Sequence, residues 1–506
     1  MNTGDPYSLT VEAWRQPTRA AHDGVVLAES AAPLLMRETG LDAYLYFPRG
    51  DVTETLLQPS TLRTFCPFKG TASYWHLDLP GGQLENAAFS YENPFDEVSE
   101  IAGHVAFFDN VLDQPLTQAA EDVGLSGPLV DWLLQEAWMC ETPADLTEQF
   151  GQRMVKMGVP LWRLGVGIWT LHPQLAGRRY NWIRGREGVE EGGTPHGMLA
   201  EPAYLNSPVR HVSEGLGGVR QRLNQPGETE FQFPIMDELR AQGGTDYVAM
   251  PLPFSNGQTN TMSLTSDDPA GFSTADLGEI FNCVFALSRF YETLTERQNT
   301  RTLLTTYLGQ RSGTRVLNGQ TQRGHGEEIR AAIVFCDLRN STQLAAAMPR
   351  GTYLDLLNDF FEAASEPILS RWGEVLKFIG DGILAIFPVD GDPAAACSQA
   401  RDAAEEIVSR LAVTEAPPLR CAIGVHLGEV TFGNVGAPER LDFTVIGSAA
   451  NLAARLSEQC KVLDQSLLFS GAVQEILPEA MVPLGRHDLH NVPQTTEIYT
   501  TEIHAV

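Results

Sequence analysis

Ile329-Arg-Ala-Ala-Ile-Val-Phe-Cys336 is an apolar run that stops on Asp337, and Val375-Leu-Lys-Phe-Ile379 is a second that stops on Gly380-Asp-Gly382. The first reads as a buried strand, short and rich in branched and aromatic residues. The second resumes after Gly382 and runs to Phe387, so Gly-Asp-Gly reads as a tight hairpin turn. Between the two runs, Leu354, Leu357, Phe361, Ala364 and Ile368 recur at helical spacing, one apolar stripe of an amphipathic helix. A further helix is expected over 393–411, strands over 419–427 and 441–446, and a helix over 449–459. This β-α-β-β-α-β order predicts a ferredoxin-like α+β domain over residues 328–506, an antiparallel sheet with helices on one face.

Working outward, residues 299–327 are polar and Gly-rich (Gly309-Gln-Arg-Ser-Gly313, Arg323-Gly-His-Gly-Glu327) and read as a linker. Residues 125–298 open with apolar helical runs at Leu129 to Ala137 and Leu146 to Met157. Strand-type segments follow at 165–169 and 247–250, and a helix from Ser273 to Arg297 closes the region. That helix–sheet–helix order, without a catalytic cluster, predicts an α+β sensor domain. Residues 1–120 mix short strand-type runs, such as Ala43-Tyr-Leu-Tyr-Phe47, with Gly and Pro, as in a small β-rich domain.

The charge balance narrows the function. Thirty-five Lys and Arg stand against 64 Asp and Glu, a net charge of -29. Such a chain lacks the positive field that nucleic acids and anionic membranes demand, but a nucleotide substrate needs only a few local cations and a metal ion. No stretch has the length and apolarity of a membrane span, and Met1 to Thr10 carries no apolar leader. Seven scattered cysteines without a CxxC pair suit a reducing, cytoplasmic setting.

The candidate chemistry lies in the last third. A lone strand-end Asp is most often a turn-former or cap. Asp337 and Asp381 would nevertheless end neighbouring central strands at one sheet edge, where paired carboxylates can hold two Mg²⁺ ions against a nucleotide's phosphates. Leu338-Arg-Asn-Ser-Thr342 leads into a short helix whose first amides could cradle a triphosphate, with ordinary capping by Asn340 or Ser341 as the plain alternative. Asn451 and Arg455, four apart, share a helix face, and an amide beside a guanidinium suits charge on a phosphoryl group. Alone, that pair would be a solvated face. Lys377, inside an apolar strand, wants an acceptor unless it snorkels at the sheet edge.

Taken together, Phe335-Cys-Asp337, Leu376-Lys-Phe-Ile-Gly-Asp-Gly382, Ile423-Gly-Val-His-Leu-Gly428, Gly433-Asn-Val-Gly436 and Phe443-Thr-Val-Ile-Gly447, followed by Asn451 and Arg455, resemble the class III adenylyl/guanylyl cyclase domain. The resemblance implies a head-to-tail homodimer with two active sites at its interface. Asp337 and Asp381 of one subunit would hold two Mg²⁺ or Mn²⁺ ions. Lys377 and Thr444 of the other would read adenine, while its Asn451 and Arg455 orient the ribose and stabilise the transition state. The reaction implied is attack of the ribose 3′-oxygen of ATP on the α-phosphorus, with pyrophosphate leaving.

Lys377 and Thr444 offer a donor to an adenine ring nitrogen and an acceptor to its exocyclic amine; guanine-selective relatives carry an acid and a small polar residue there. Thr444 instead of the commoner Asp resembles the subgroup that includes bicarbonate-responsive cyclases. Asn340-Ser341 stands where many members have Gly-Phe, and Ser448 where many have Asp or Asn. Two readings stay beside adenylyl cyclase: a guanylyl cyclase, and a non-catalytic nucleotide-binding sensor. Residues 15–118 loosely resemble a small bacterial family of unassigned function, through stretches such as Leu35-Met-Arg-Glu-Thr39 and Cys66-Pro-Phe-Lys-Gly70. Cys66, Lys69, Tyr74 and Trp75 there are candidate pocket residues, with core or rim packing the plainer reading of Tyr74 and Trp75. The middle region is similar in outline to GAF-type sensor domains, with no signature of its ligand, so the regulator is left unnamed.

Overall fold

The computed structural model describes residues 9–38, 41–66, 68–117, 127–224, 231–413, 419–478 and 481–501. The reading of a leaderless start rests mostly on residues 1–8, which lie outside them. The chain divides into two units, Met1–Asn299 and Thr300–Val506.

The first unit contains two antiparallel sheets. One has seven strands drawn from residues 9–107, beside a hairpin formed by Thr18–His22 and Val25–Ser30. Its aromatic residues alternate inward, so that Tyr44, Tyr74 and Phe108 gather around Phe89 at ring distances of 5.0–6.3 Å. The β-rich expectation holds. The second sheet has six strands, with Leu161–Trp169 and Thr259–Ser266 at its centre. Helices Pro128–Gln135, Pro143–Lys156 and Thr274–Leu308 bury Leu133, Leu146, Phe150, Ile280 and Leu287 in one core with that sheet. Phe65 and Phe68, from the first sheet's half, belong to this same core.

The helix Thr274–Leu308 is 35 residues long, past the expected stop at 297. Ser273 and Asp276 start it with a reciprocal capping box, the Ser273 amide donating to the Asp276 carboxylate and the Asp276 amide to the Ser273 hydroxyl. No Gly or Pro interrupts residues 279–308, and the chain turns only at Gly309, with φ +89°. A further helix, Gln310–Leu317, follows, so much of the expected linker is helical. It is held by Glu374, whose Oε1 accepts from the Ser312 amide at 2.9 Å and the Ser312 hydroxyl at 2.8 Å.

In the second unit we number β1 (Gly326–Leu338), α1 (Ser341–Ala347), α2 (Arg350–Leu369), β2 (Glu374–Ile379), β3 (Gly382–Pro388), α3 (Pro393–Ala412), β4 (Cys421–Ala437), β5 (Arg440–Ile446), α4 (Ser448–Leu463), β6 (Leu467–Ser470), β7 (Val482–His487) and β8 (Thr496–Thr500). The sheet runs β2-β3-β1-β4-β6-β8-β7, with β5 paired to β4. All pairs are antiparallel except β4 with β6. The expected α+β class and strand order are present. Alternation along β1 divides the core: Ala332, Val334 and Cys336 pack against α2 and α3, whereas Ile333 joins Ala449 and Ala453 of α4. Helices therefore cover both faces rather than the single face expected, α2 and α3 on one and α4 on the other, because β1 is apolar on both sides. Gly424 lets α4 settle: a Cβ there would lie 2.2 Å from the Ala453 carbonyl oxygen.

Candidate functional site

Asp337 is the penultimate residue of β1, and its Cα partner across the ladder is Gly382, the first residue of β3. Asp381 sits in the β2–β3 turn immediately before it, and its carbonyl accepts the Leu338 amide at 3.2 Å. The hairpin and the centre of the sheet thus bring the two aspartates together, as the strand pattern predicts. Burial pushes the Asp337 carboxyl above the usual carboxylate range; the neighbouring Asp381 adds to that rise, and Lys461 opposes it. Lys461, near the end of α4, places Nζ 2.6 Å from Asp337 Oδ2. No group of three or more His, Cys, Asp or Glu side chains able to hold a metal occurs among the described residues. The acidic pair has two carboxylates, both hard oxygen donors.

The loop after β1 departs from expectation. The Leu338 amide is spent on Asp381, and the Arg339 amide donates to the Arg420 carbonyl at 2.8 Å. The Arg339 guanidinium, 9% exposed, turns to Asp464 at 2.9 Å and to the Cys460 carbonyl at 3.1 Å. Leu338 and Arg339 therefore hold the loop to β4 and α4, and neither amide faces a ligand. Asn340 takes a left-handed conformation, φ +62°, and starts α1 without a side-chain cap. The amides of Ser341 and Thr342 open that helix, where no intrahelical acceptor exists.

Lys377 on β2 finds its acceptor in Asp442 of β5, with Nζ 3.3 Å from Oδ2. Thr444, two residues along β5 and 7% exposed, pairs across the ladder with Gly433. Lys377 and Thr444 are thus carried by strands joined through an ion pair. Asn451 and Arg455 lie in the first two turns of α4; Asn451 is exposed, and Arg455 pairs with Glu458 at 2.5 Å. Lys461, which touches Asp337, lies ten residues beyond Asn451, about 15 Å along the helix axis. One chain therefore does not bring Asn451 to the acidic pair.

Sequence reasoning missed Asp442 and Lys461. Asp442 is two residues from Thr444, on the same face of β5, and period-two alternation could have found it. Lys461 carries no local signal, because its partner is 124 residues away.

Residues 326–499 match the adenylate and guanylate cyclase catalytic domain family, and residues 10–118 match a domain family of unknown function, DUF427. An uncharacterized protein of Mycobacterium tuberculosis is 36% identical over 222 residues, 43% of this chain and 40% of the relative. A second from the same organism is 37% identical over 205 residues, 40% of this chain and 35% of the relative. The chain thus spans well under half the length of these curated relatives. Similar solved structures include a bacterial light-regulated adenylyl cyclase, 28% identical over 35% of this chain and 92% of that one, TM-score 0.32. An adenylyl cyclase from P. aeruginosa is 23% identical over 35% and 95%, TM-score 0.32. A guanylate cyclase domain from Catenaria anguillulae, solved with GTP, is 18% identical over 35% and 98%, TM-score 0.31. The expected resemblance is thus borne out over residues 326–499, about a third of the chain, which match the adenylate and guanylate cyclase catalytic domain family.

Proposed function

We propose that the chain is an adenylyl cyclase that converts ATP to 3′,5′-cyclic AMP and pyrophosphate at sites shared by two copies of itself. One observation carries this reading. Each chain presents an acidic pair at one end of α4 and an Asn–Arg pair at the other, two halves of a site that a single chain keeps apart. Exposed apolar side chains on the second unit, among them Phe378, Ile379 and Ile446, support burial against a second copy.

The acidic pair fits a metal of the Mg²⁺ or Mn²⁺ type, two per site: its donors are carboxylate oxygens, and a lysine ammonium already balances their charge. Bound by Asp337 and Asp381, such ions would supply positive charge to the phosphates and acidify the 3′-hydroxyl. The remaining roles belong to side chains and amides. Lys377 donates to an adenine ring nitrogen and the Thr444 hydroxyl accepts from the exocyclic amine. From the same subunit, Asn451 orients the ribose and Arg455 meets charge building on the α-phosphoryl oxygens. The Asn340, Ser341 and Thr342 amides line the triphosphate, a narrower cradle than residues 338–342. The 3′-hydroxyl releases its proton to water, and its oxygen forms a bond to the α-phosphorus as the bond to pyrophosphate breaks.

Cyclases acting on either base are similar to this domain, so adenine selectivity rests on Lys377 and Thr444. Domain limits of 1–120, 125–298, a 299–327 connector and 328–506 complete the reading, with the middle region a GAF-like sensor. Its six-stranded sheet with flanking helices supports that. Seven free cysteines, six of them buried, suit a reducing cytoplasm. The test is cyclic-nucleotide production from ATP and GTP by the full chain. Asp381→Ala and Arg455→Ala chains, each inactive alone, should recover activity when mixed. Cyclic GMP as the main product would move the assignment to guanylyl cyclase, and mixing without recovery would sink the shared site.

A further inference from the structure

Within the first unit, between its two sheets, lies a cavity of ≈ 470 Å³. That size falls in the range of sites for drug-sized ligands. Its walls are mostly apolar: Phe65 from the β-rich half faces Met250, Phe281, Val284 and Phe285 from the other. The charged groups all come from the β-rich half, namely Glu38, Arg63 and Lys69, with Cys66 beside them.

Lys69 Nζ lies 2.5 Å from Glu38 Oε2, and the two side chains are 10% and 4% exposed. A buried ion pair contributes little net stability, because desolvation offsets its Coulomb energy. Keeping one in a cavity wall suits recognition of a polar group. The Tyr46 hydroxyl, wholly buried and in electrostatic contact with Lys69, has no hydrogen-bond partner among the described residues.

Charge selects the ligand. Burial opposes the charge on Lys69, but its pKa is held above the ordinary lysine value, and near neutral pH the group that holds it there is the Glu38 carboxylate 2.5 Å away. Burial pushes the Cys66 thiol up to about 11 and keeps it neutral. Two cations therefore face one carboxylate, leaving one positive charge over in a chain of net charge -29. In this half-open, mostly apolar cleft that excess attracts a single negative charge more strongly than it would in bulk water.

We propose that this cavity is a binding site for an amphipathic monoanion, a carboxylate or similar head on an apolar body, the head held by Lys69 and Arg63 and the body by Phe65, Met250, Phe281 and Phe285. The ligand would touch the helix Thr274–Leu308 along Phe281, Val284 and Phe285. The site stands independently of what the cyclase domain makes.

The test uses the full-length chain, with anilinonaphthalene sulfonate as fluorescent probe and octanoate as competitor. The expected result is saturable binding near one probe per chain, displaced by octanoate at least ten times more effectively than by 1-octanol or octylammonium. Cys66→Phe and Val284→Phe, which fill the cavity from opposite walls, should each weaken binding at least tenfold. Arg63→Met, which removes the excess positive charge and leaves the Lys69–Glu38 pair intact, should abolish the preference for octanoate. Circular dichroism and thermal melting establish which variants fold, and any one folded variant decides. Absence of saturable binding, equal displacement by octanol, or unchanged binding in a folded variant overturns the proposal.

Discussion

Lys461 Nζ lies 2.6 Å from Asp337 Oδ2, so the far end of the helix that carries Asn451 and Arg455 supplies the counter-charge for the acidic pair. A lysine ammonium and a bound divalent ion would compete for that carboxylate. Lys461 is half exposed, so the pair is worth no more than about 0.5–1 kcal/mol. We expect Lys461→Met to lower the melting temperature of the second unit by about 1–4 °C in divalent-free buffer. That deficit should shrink when Mg²⁺ and a non-hydrolysable nucleotide are added. A deficit of the same size with and without Mg²⁺ would show that Lys461 does not stand in for a cation.

Asp337 is held above the usual carboxylate range partly by Asp381 beside it. Removing one of two crowded acids relieves repulsion, while function loses a metal ligand. Asp381→Asn should therefore melt at or above the wild-type temperature without divalent ions, yet lose cyclase activity by a factor of about 100 or more. An Asp381→Asn chain that keeps most of its turnover would remove the metal role from the pair.

At Gly424 the backbone of α4 approaches too closely for any side chain. A Cβ would meet the Ala453 carbonyl oxygen at 2.2 Å and the Ser457 amide nitrogen at 2.5 Å, and neither is a flexible side-chain end. Gly424→Ala should cost about 1–3 kcal/mol or more in urea unfolding, and should lower activity by displacing Asn451 and Arg455. Gly351, in the first turn of α2 with open space around its Cα, is the control: Gly351→Ala should be neutral or slightly stabilising.

His426 on β4 is held in its neutral form. Burial pushes its pKa down to about 4, with Nδ1 2.8 Å from the Ser470 hydroxyl. The unfolded chain binds this proton near the ordinary histidine value of about 6.5, so protonation favours unfolding. The stability it contributes is complete above about pH 6.5 and is lost as pH falls toward about 4. His426→Gln should flatten the dependence of the urea midpoint on pH in that window. Parallel curves for the two proteins would rule out this histidine.

The strand–helix order of the second unit was legible because each element carries its own period. Short apolar runs marked β1 and β3, the Leu354–Ile368 stripe marked α2, and Gly380-Asp-Gly382 read as a turn. Asp337 and Asp381 were legible as a pair for the same reason, since a two-residue turn fixes their register against β1. The Gly-rich look of 299–327 misled: a capped helix without Gly or Pro in its last 30 residues continues until something stops it, and Gly309 is the first residue that does.

The sequence by itself therefore determined the α+β cyclase architecture, the β-rich start of the chain and the identity of the residues at the sheet edge, because period and turn chemistry act over a few residues. Only the tertiary structure decided which charges meet. Arg339 turns away from the expected phosphate loop to Asp464, Lys377 finds Asp442 and Asp337 finds Lys461, each across 65 or more residues of chain. It also decided that α4 separates Asn451 from the acidic pair, and that Lys69 and Glu38 face an apolar wall built from the helix Thr274–Leu308 and a strand of another sheet. Coulomb attraction depends on distance in space, and strand pairing and helix packing set that distance without leaving a mark in local spacing.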